Sequence, residues 1–558
     1  MWWRPVVSRE AVLCTALAAS FSALLVWLGP PGTDFAAHAY QRTLFVRHGF
    51  TLWDDFWYAG RYSFVGYSLI YYPLAALLGI RVLAVTTVSV AALAFTAIAA
   101  REWGPVARWS GRSFAVVWAG FLLSGAFPFA LGVTLALLAL WALQTGHGWR
   151  FATLTLFTLA ASPVALVFLV VVVAGVALAR RATPRDTAVR ALAVVAAIAI
   201  EVVLLRLFPG TGRYPFSAVE AAMALGFCIL CLTVTWPVES ARVLRYVFAA
   251  YAVAIAAVYL VPSGLGENIA RLRYVAVPLA LLIVALRRWR PLPLVLAVVT
   301  LALAWNVTPL AASLVHGEGD VTARAIVWRT PIAYLHAHLK PGYRVEAVDT
   351  AEHWPDFYLA ESGIPLVRGW FRQDDFPFDA LLYRHLRPAA YLRWLRELGV
   401  AYVVLTRSPP DYSSRQEAVL VRSGRAGLRR VWASPQIAIY TVPRPRPIIT
   451  GPGRPTVLAL HESRLLVHVP RGGTYSLSVR WSPYWQASTG CLARARVGML
   501  QLRTRAAATV RIFFDVDAKT LLRAFAGTTP TCPAAGVRRT SKSGAPRGHS
   551  RTLGDARR

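Results

Sequence analysis

The chain has 558 residues, 56% of them hydrophobic and only 15% charged, and several windows reach the roughly 20 apolar residues that span a bilayer. That excludes a soluble globular protein and indicates a polytopic membrane protein. In a soluble chain the formal charge of +32 would suggest a nucleic-acid partner. Here the arginines lie between apolar segments and in the C-terminal part, so they read as topology signal and anionic-lipid contact, with no nucleic acid implied.

In chain order, MWWRPVVSRE precedes the first apolar run, and GPPGTD follows Leu28 where a cleaved signal would show small residues. The run therefore reads as a retained span. Next comes GPPGTDFAAHAYQRTLFVRHGFTLWDDFWYAGRYSFVGYSLIYYP, residues 29–73, where Asp34, Asp54 and Asp55 cluster with His38, His48 and three arginines among many aromatic rings. Charge beside aromatic rings suits a membrane-surface site for a polar headgroup on a lipid tail. An amphipathic loop with an interfacial aromatic belt has the same composition.

Eleven crossings are expected, at 11–29, 81–100, 113–125, 127–145, 150–161, 163–179, 188–206, 216–235, 243–261, 271–287 and 291–311. The pairs broken at Gly125/Pro128 and Ser162/Pro163 can equally be kinked or re-entrant helices. Arginine-rich short loops, such as Arg101, Arg108 and Arg112 or Arg287, Arg288 and Arg290, fall on one face, which the positive-inside rule makes cytoplasmic. The N-terminus is then inside, while the loop 30–80 and everything after about 312 lie outside; 67–79 enters the membrane from outside as a short helix.

Beyond 312 the pattern is that of a folded extracytoplasmic domain. PIAYLHAHLK, opened by Thr330-Pro331, and AAYLRWLRELG read as helices, and YRVEAVD and GVAYVVLT as buried strands, an α/β unit over 313–445. From 446 to 535 short strands divided by Gly, Pro and Ser suggest a small β-sandwich. Residues 536–558 lack periodicity and read as a disordered basic tail. Cys14, Cys228 and Cys231 sit in apolar spans; Cys491 and Cys532 can pair in an oxidising compartment.

The order TDFAAHAYQ, HGFTLWDDFWYAG, YSLIYYPL after a first span, with the later GLGENIARLRYVAVP and RGWFRQDDFPFDALLYRHL, resembles bacterial GT-C-type membrane glycosyltransferase-like proteins. Within these it is most similar to the 6-pyruvoyl-tetrahydropterin-synthase-related and YfhO-like groups. The resemblance implies a GT-C-like fold, a lipid-linked sugar donor approached from outside, and an acidic residue in the first loop that acts on the acceptor or holds a divalent cation, Mg or Mn. Asp34 matches that position, with His38 one turn later on the same face. Asp34 is also placed to be the N-cap of FAAHAYQRTLF. The pair of adjacent acids of the fuller signature is absent at Asp34, the next acids being Asp54 and Asp55.

For the donor phosphate, GENIARLRY offers Glu267, Asn268, Arg271 and Arg273, since guanidinium pairs with phosphate oxygens in a bidentate manner; an ordinary juxtamembrane charge cluster would look alike. For the acceptor or sugar, Trp53, Asp54 and Asp55 in the first loop and Trp370, Arg372 and Asp374 in the external domain combine a stacking ring with polar groups. The expected partners are a lipid-linked sugar donor, a cell-envelope glycan or glycolipid acceptor and plasma-membrane lipids. A non-catalytic or transporter-like protein that binds or moves an envelope glycolipid is the reading from another class. No phosphate-binding Gly-rich loop, GxSxG or HExxH is present.

Overall fold

The computed structural model describes residues 9–180, 184–210, 212–495, 498–527 and 532; the expected disordered tail, 536–558, lies outside them. Helices α1 (Arg9–Leu28), α2 (Phe35–His48), α3 (Tyr71–Leu78), α4 (Ile80–Trp103), α5 (Arg108–Gly120), α6 (Phe127–Gln144), α7 (Gly148–Ala161), α8 (Pro163–Arg180), α9 (Pro184–Leu207), α10 (Ala218–Thr235), α11 (Arg242–Leu260), α12 (Ala276–Leu286) and α13 (Leu292–Gly319) make up the first part. Eight stretches among the described residues are long and apolar enough to cross a membrane. One of them, Ile80–Ser124, contains both α4 and α5. Each of the eleven expected crossings overlaps a helix, but α7, with only 14 residues and so short of a perpendicular crossing, and α9 lie outside the eight stretches, which leaves the count of eleven unmatched.

Small residues set the helix packing, as they must where lipid supplies no hydrophobic contrast. The buried face of α1 is Ala11, Cys14, Ala18 and Ser22, and it lies on the alanine-rich face of α4. At Gly132 a Cβ would sit 2.6 Å from that of Ala165, and at Gly175 one would sit 2.6 Å from the Val247 backbone. The ion pairs Arg112–Glu10 (2.6 Å) and Arg180–Glu102 (2.5 Å) tie helix ends at the face opposite the C-terminal domains.

In the first loop, β1 (Trp53–Asp54) and β2 (Arg61–Tyr62) form a short antiparallel pair. After α13 come α14 (Ala325–His338), β3 (Arg344–Ala347), α15 (Trp354–Glu361), α16 (Arg372–Phe378, kinked at Phe376), α17 (Pro388–Glu397), β4 (Val400–Thr406), α18 (Arg415–Arg422), β5 (Arg429–Ala433) and β6 (Ile437–Thr441). The sheet order is β3-β4-β6-β5, parallel only between β3 and β4. Helix α14 begins before the expected start, and Pro331 lies inside it. Its first turn is anchored by Trp328, fully buried and donating from Nε1 to the Thr322 carbonyl (2.8 Å).

Two four-stranded antiparallel sheets follow. The first has β7 (Ile449–Thr450), β10 (Gly473–Arg480), β13 (Met499–Thr504) and β12 (Cys491–Arg494), and the second β8 (Thr456–His461), β9 (Arg464–Val469), β14 (Ala508–Phe514) and β11 (Trp485–Ala487). Alternation along β10 and β9 buries Tyr475, Leu477 and Val479 against Leu465, Val467 and Val469. Cys491 and Cys532 form a disulfide with Cα atoms 5.6 Å apart, and α19 (Ala518–Phe525) packs on α9.

The first loop enters all three cores. Trp53 packs with Trp485 and Phe514 of the sandwich. Trp57 and Tyr58 join the core under β3, and Tyr71 and Tyr72 join the helix bundle. Backbone bonds fix this threading: Asp55 N–H to the Glu462 carbonyl (2.7 Å), Leu366 N–H to that of Phe56 (2.8 Å) and Arg480 N–H to that of Ala59 (2.9 Å).

Candidate functional site

The junction of the helix bundle with the β3–β6 domain is where the predicted residues can be compared with their positions. Asp34 is set there by its backbone. Thr33 N–H and Asp34 N–H donate to the carbonyls of Leu123 (3.0 Å) and Ser124 (3.1 Å), the turn that follows α5. The approach is so close that Gly125 (φ +71°) has no room for a Cβ, which would meet the Asp34 backbone nitrogen at 2.5 Å. The side chain makes no capping bond to α2. Instead its Oδ1 accepts from Trp370 Nε1 at 2.7 Å, so this half-buried carboxylate is held by the C-terminal half of the chain.

His38 shares that face and is fully buried, in a cage of Tyr67, Tyr71, Tyr72, Phe127 and Trp370. Its Nδ1 is 3.1 Å from Tyr72 Oη, and Nε2 has no partner. Burial, with Arg271 adding to it, pushes its pKa down to about 3, so the ring is neutral and cannot act as a phosphate-binding cation. The group that orients the acid is Trp370.

Arg271 lies at the same place. Its guanidinium stands 4.8 Å over the Phe129 ring, it is an electrostatic neighbour of His38, Tyr67 and Tyr214, and none of the ion pairs among the described residues involves it. Arg273 differs, being held between Glu220 (3.2 Å) and Glu267 (3.6 Å). Glu267 is thus a partner of Arg273, and Asn268 is buried. Arg372 reaches the site over Tyr412 (4.2 Å) while paired with Asp411 at 2.6 Å. That pair holds Asp411 down at about 2 against its burial.

The first-loop members of the expected sugar site are elsewhere. Trp53 is a core residue whose Nε1 donates to Asp55 Oδ1 (2.9 Å). Asp54 accepts from Tyr40 Oη (3.1 Å) and Phe56 N–H (2.9 Å), and neither it nor Asp55 is exposed at all. Burial drives Asp54 up to about 7 and Asp55 well above the usual range. A sugar cannot reach them. Asp374 is taken by Arg61 (2.7 Å), whose guanidinium lies on the Phe371 ring.

Four residues near the site went unread in the sequence. Tyr214 and Tyr412 face Arg372. Glu352 is an electrostatic neighbour of Asp34, with both carboxylate oxygens buried and unpartnered, and burial raises it to about 8. Asp349, with His353 and Asp356, brings one ligand atom each to within 4.8 Å of the others, a buried cluster capable of coordinating a divalent cation. Acid density in VDTAEHWPD was the available signal. Beside Phe35, a mainly apolar cavity of about 220 Å³ runs between the ends of α1, α4 and α6, lined by Val26, Pro31, Leu122, Phe127 and Trp354 with Arg81.

No family model matches the sequence, and no curated protein matches it. Among solved structures, the arabinofuranosyltransferase AftD from mycobacteria is similar at 19% identity and a TM-score of 0.48, over 78% of this chain and 40% of that one. A mutant form of that protein gives 0.49 at the same identity, over 78% and 42%. The Archaeoglobus fulgidus oligosaccharyltransferase is similar at 13% identity and a TM-score of 0.35, over 71% of this chain and 68% of that one. The chain spans about two fifths of the length of the arabinofuranosyltransferase.

Proposed function

We propose that this chain is a GT-C-type membrane glycosyltransferase that moves a sugar from a polyprenyl-phosphate donor to a cell-envelope acceptor at the outer face of the plasma membrane. The observation that carries the reading is the meeting of Asp34, fixed by Trp370 at 2.7 Å, with the guanidinium of Arg271, which is in none of the ion pairs among the described residues, around the same Tyr67 and Tyr214. The apolar cavity beside Phe35 suits part of a lipid tail, with the headgroup at Asp34.

In this reading Asp34 accepts the proton of an acceptor hydroxyl as its oxygen bonds to the anomeric carbon. The bond from that carbon to the donor phosphate breaks, the electron pair leaves with the lipid phosphate, and Arg271 offsets the charge that develops there. His38 keeps its side of the site apolar, and Arg372 with Tyr412 borders the site through Tyr214. Asp34→Asn, assayed on purified full-length protein with lipid-linked sugar, is expected to lower turnover by about a hundredfold or more, as loss of a general base does. Full transfer by that variant would remove the base from the mechanism.

A further inference from the structure

We propose that Asp349, His353 and Asp356 form a structural site for one divalent cation, Mn²⁺ or Zn²⁺, which fixes the turn between β3 and α15 behind Asp34. Asp349 follows the end of β3, His353 closes the turn from the left-handed region (φ 57°) with its N–H on the Thr350 carbonyl (3.2 Å), and Asp356 lies in the first turn of α15. The chain reversal is what brings together ligands four and three positions apart, and all three are at most 4% exposed.

A second observation points to a ligand. Both carboxylate oxygens of Asp356 are buried and without a hydrogen-bond partner, although the residue is 1% exposed and its backbone carbonyl is fixed by Trp57 Nε1 (3.2 Å). An orphaned carboxylate in the interior is costly. The nearby cationic side chains are engaged elsewhere, Arg368 with Ser414 (2.7 Å) and Asp375 (3.4 Å), Arg372 with Asp411 (2.6 Å) and His353, through Nδ1, with Asp349 (2.8 Å), a contact that a shared cation would replace, while Asp356 has no such partner. A cation bound by one oxygen of each aspartate and one imidazole nitrogen removes that cost. Two carboxylates with one imidazole suit Mn²⁺ or Zn²⁺ better than Ca²⁺ or Mg²⁺, which prefer all-oxygen shells.

The consequence reaches the junction. Trp354, next to His353, packs on Phe35 (6.1 Å between ring centroids), α15 lies against α2, and Glu352 is an electrostatic neighbour of Asp34. The cation would therefore hold one wall of the site without touching substrate.

The inference does not rest on glycosyl transfer, and its test does not measure it. Full-length protein in detergent is stripped with EDTA and titrated with MnCl₂ or ZnCl₂, following metal per chain by mass spectrometry and thermal unfolding. About one cation per chain and a melting point raised by several degrees are expected, with the dissociation constant on the order of tenfold or more weaker in Asp356→Asn and Asp349→Asn. If stripping and re-adding metal leaves wild-type melting unchanged, or if the variants bind as much metal as wild type, the site is refuted. Should a variant fail to fold, the wild-type titration alone decides. Asp356→Asn that melts higher than wild type in every condition would mark the cluster as a protonated carboxyl only.

Discussion

Between Trp370 and Asp34, a single N–H carries a link from the C-terminal half of the chain to the acid that follows the first apolar helix. Trp370→Phe keeps an aromatic ring, though a smaller one, toward His38 and Tyr67 but removes that donor. A hydrogen bond to a charged group is worth about 1.5–3 kcal/mol, so turnover should fall roughly 10- to 100-fold with the Michaelis constant for donor moving less, and steady-state kinetics separates the two. Asp54 gives a different prediction. Its pKa of about 7 when folded, against the usual 3.8, means the unfolded chain loses the proton first. Stability is then full below about pH 4 and declines as pH rises toward 7, by about 4 kcal/mol at most. Burial outweighs Arg61, which favours the ionised form, and Glu462 favours the protonated one; Asp55, also driven up by burial, adds in the same direction. Asp54→Asn should flatten the melting temperature between pH 5 and 8, where wild type declines. That Asp34 lies directly after the first span was legible, the apolar run ending at Leu28; its bond to Trp370 was not, the partner lying 336 residues later. Trp53, Asp54 and Asp55 misled because aromatic rings beside carboxylates describe a buried, hydrogen-bonded core as well as a sugar site; only exposure separates them, and exposure belongs to the tertiary structure.

At the scale of elements, the turn after α5 serves as the seat of the first loop. Gly125 sits at φ +71° with the Asp34 nitrogen where a methyl would go, so Gly125→Ala combines left-handed strain with a backbone clash. We expect a loss of about 1–3 kcal/mol in thermal unfolding together with reduced turnover, because the clash is relieved by moving Asp34 off the Ser124 carbonyl. A variant that melts and turns over like wild type would show that the seat is loose. The break near Gly125 was visible as a helix interruption; its purpose was not, since the partner that approaches it lies ninety residues earlier. Helix α14 shows the converse error, a proline taken as a start although packing of Trp328 and Leu335 carries the helix through it. Strands β3 and β4 and helix α17 were readable from local pattern, their apolar faces being continuous, whereas the kinked α16 has no periodicity to read.

Across the whole molecule, the basic loops lie at one end of the bundle and the two β-containing domains at the other, and the proposed function requires the latter to face outward. Arg425 is exposed on the loop after α18, while Cys14, Cys228 and Cys231 are buried. Arg425→Cys should therefore react with a membrane-impermeant maleimide in intact cells against a low background. Reaction only after lysis would invert the topology. The threading of the first loop through three cores has a further consequence, for how the protein is made. Tyr62 and Ser482, bonded at 2.9 Å, are 420 residues apart, so at about 5–20 residues per second the ribosome needs roughly 20–80 s to supply the partner. During that interval Trp53, Trp57 and Tyr58, all buried in the finished molecule, have no C-terminal surface to rest on. Nascent chains caught at this stage would present a greasy, chaperone-binding stretch at the membrane surface, and a protein truncated after α13 would carry that stretch permanently and be an early target of proteolysis.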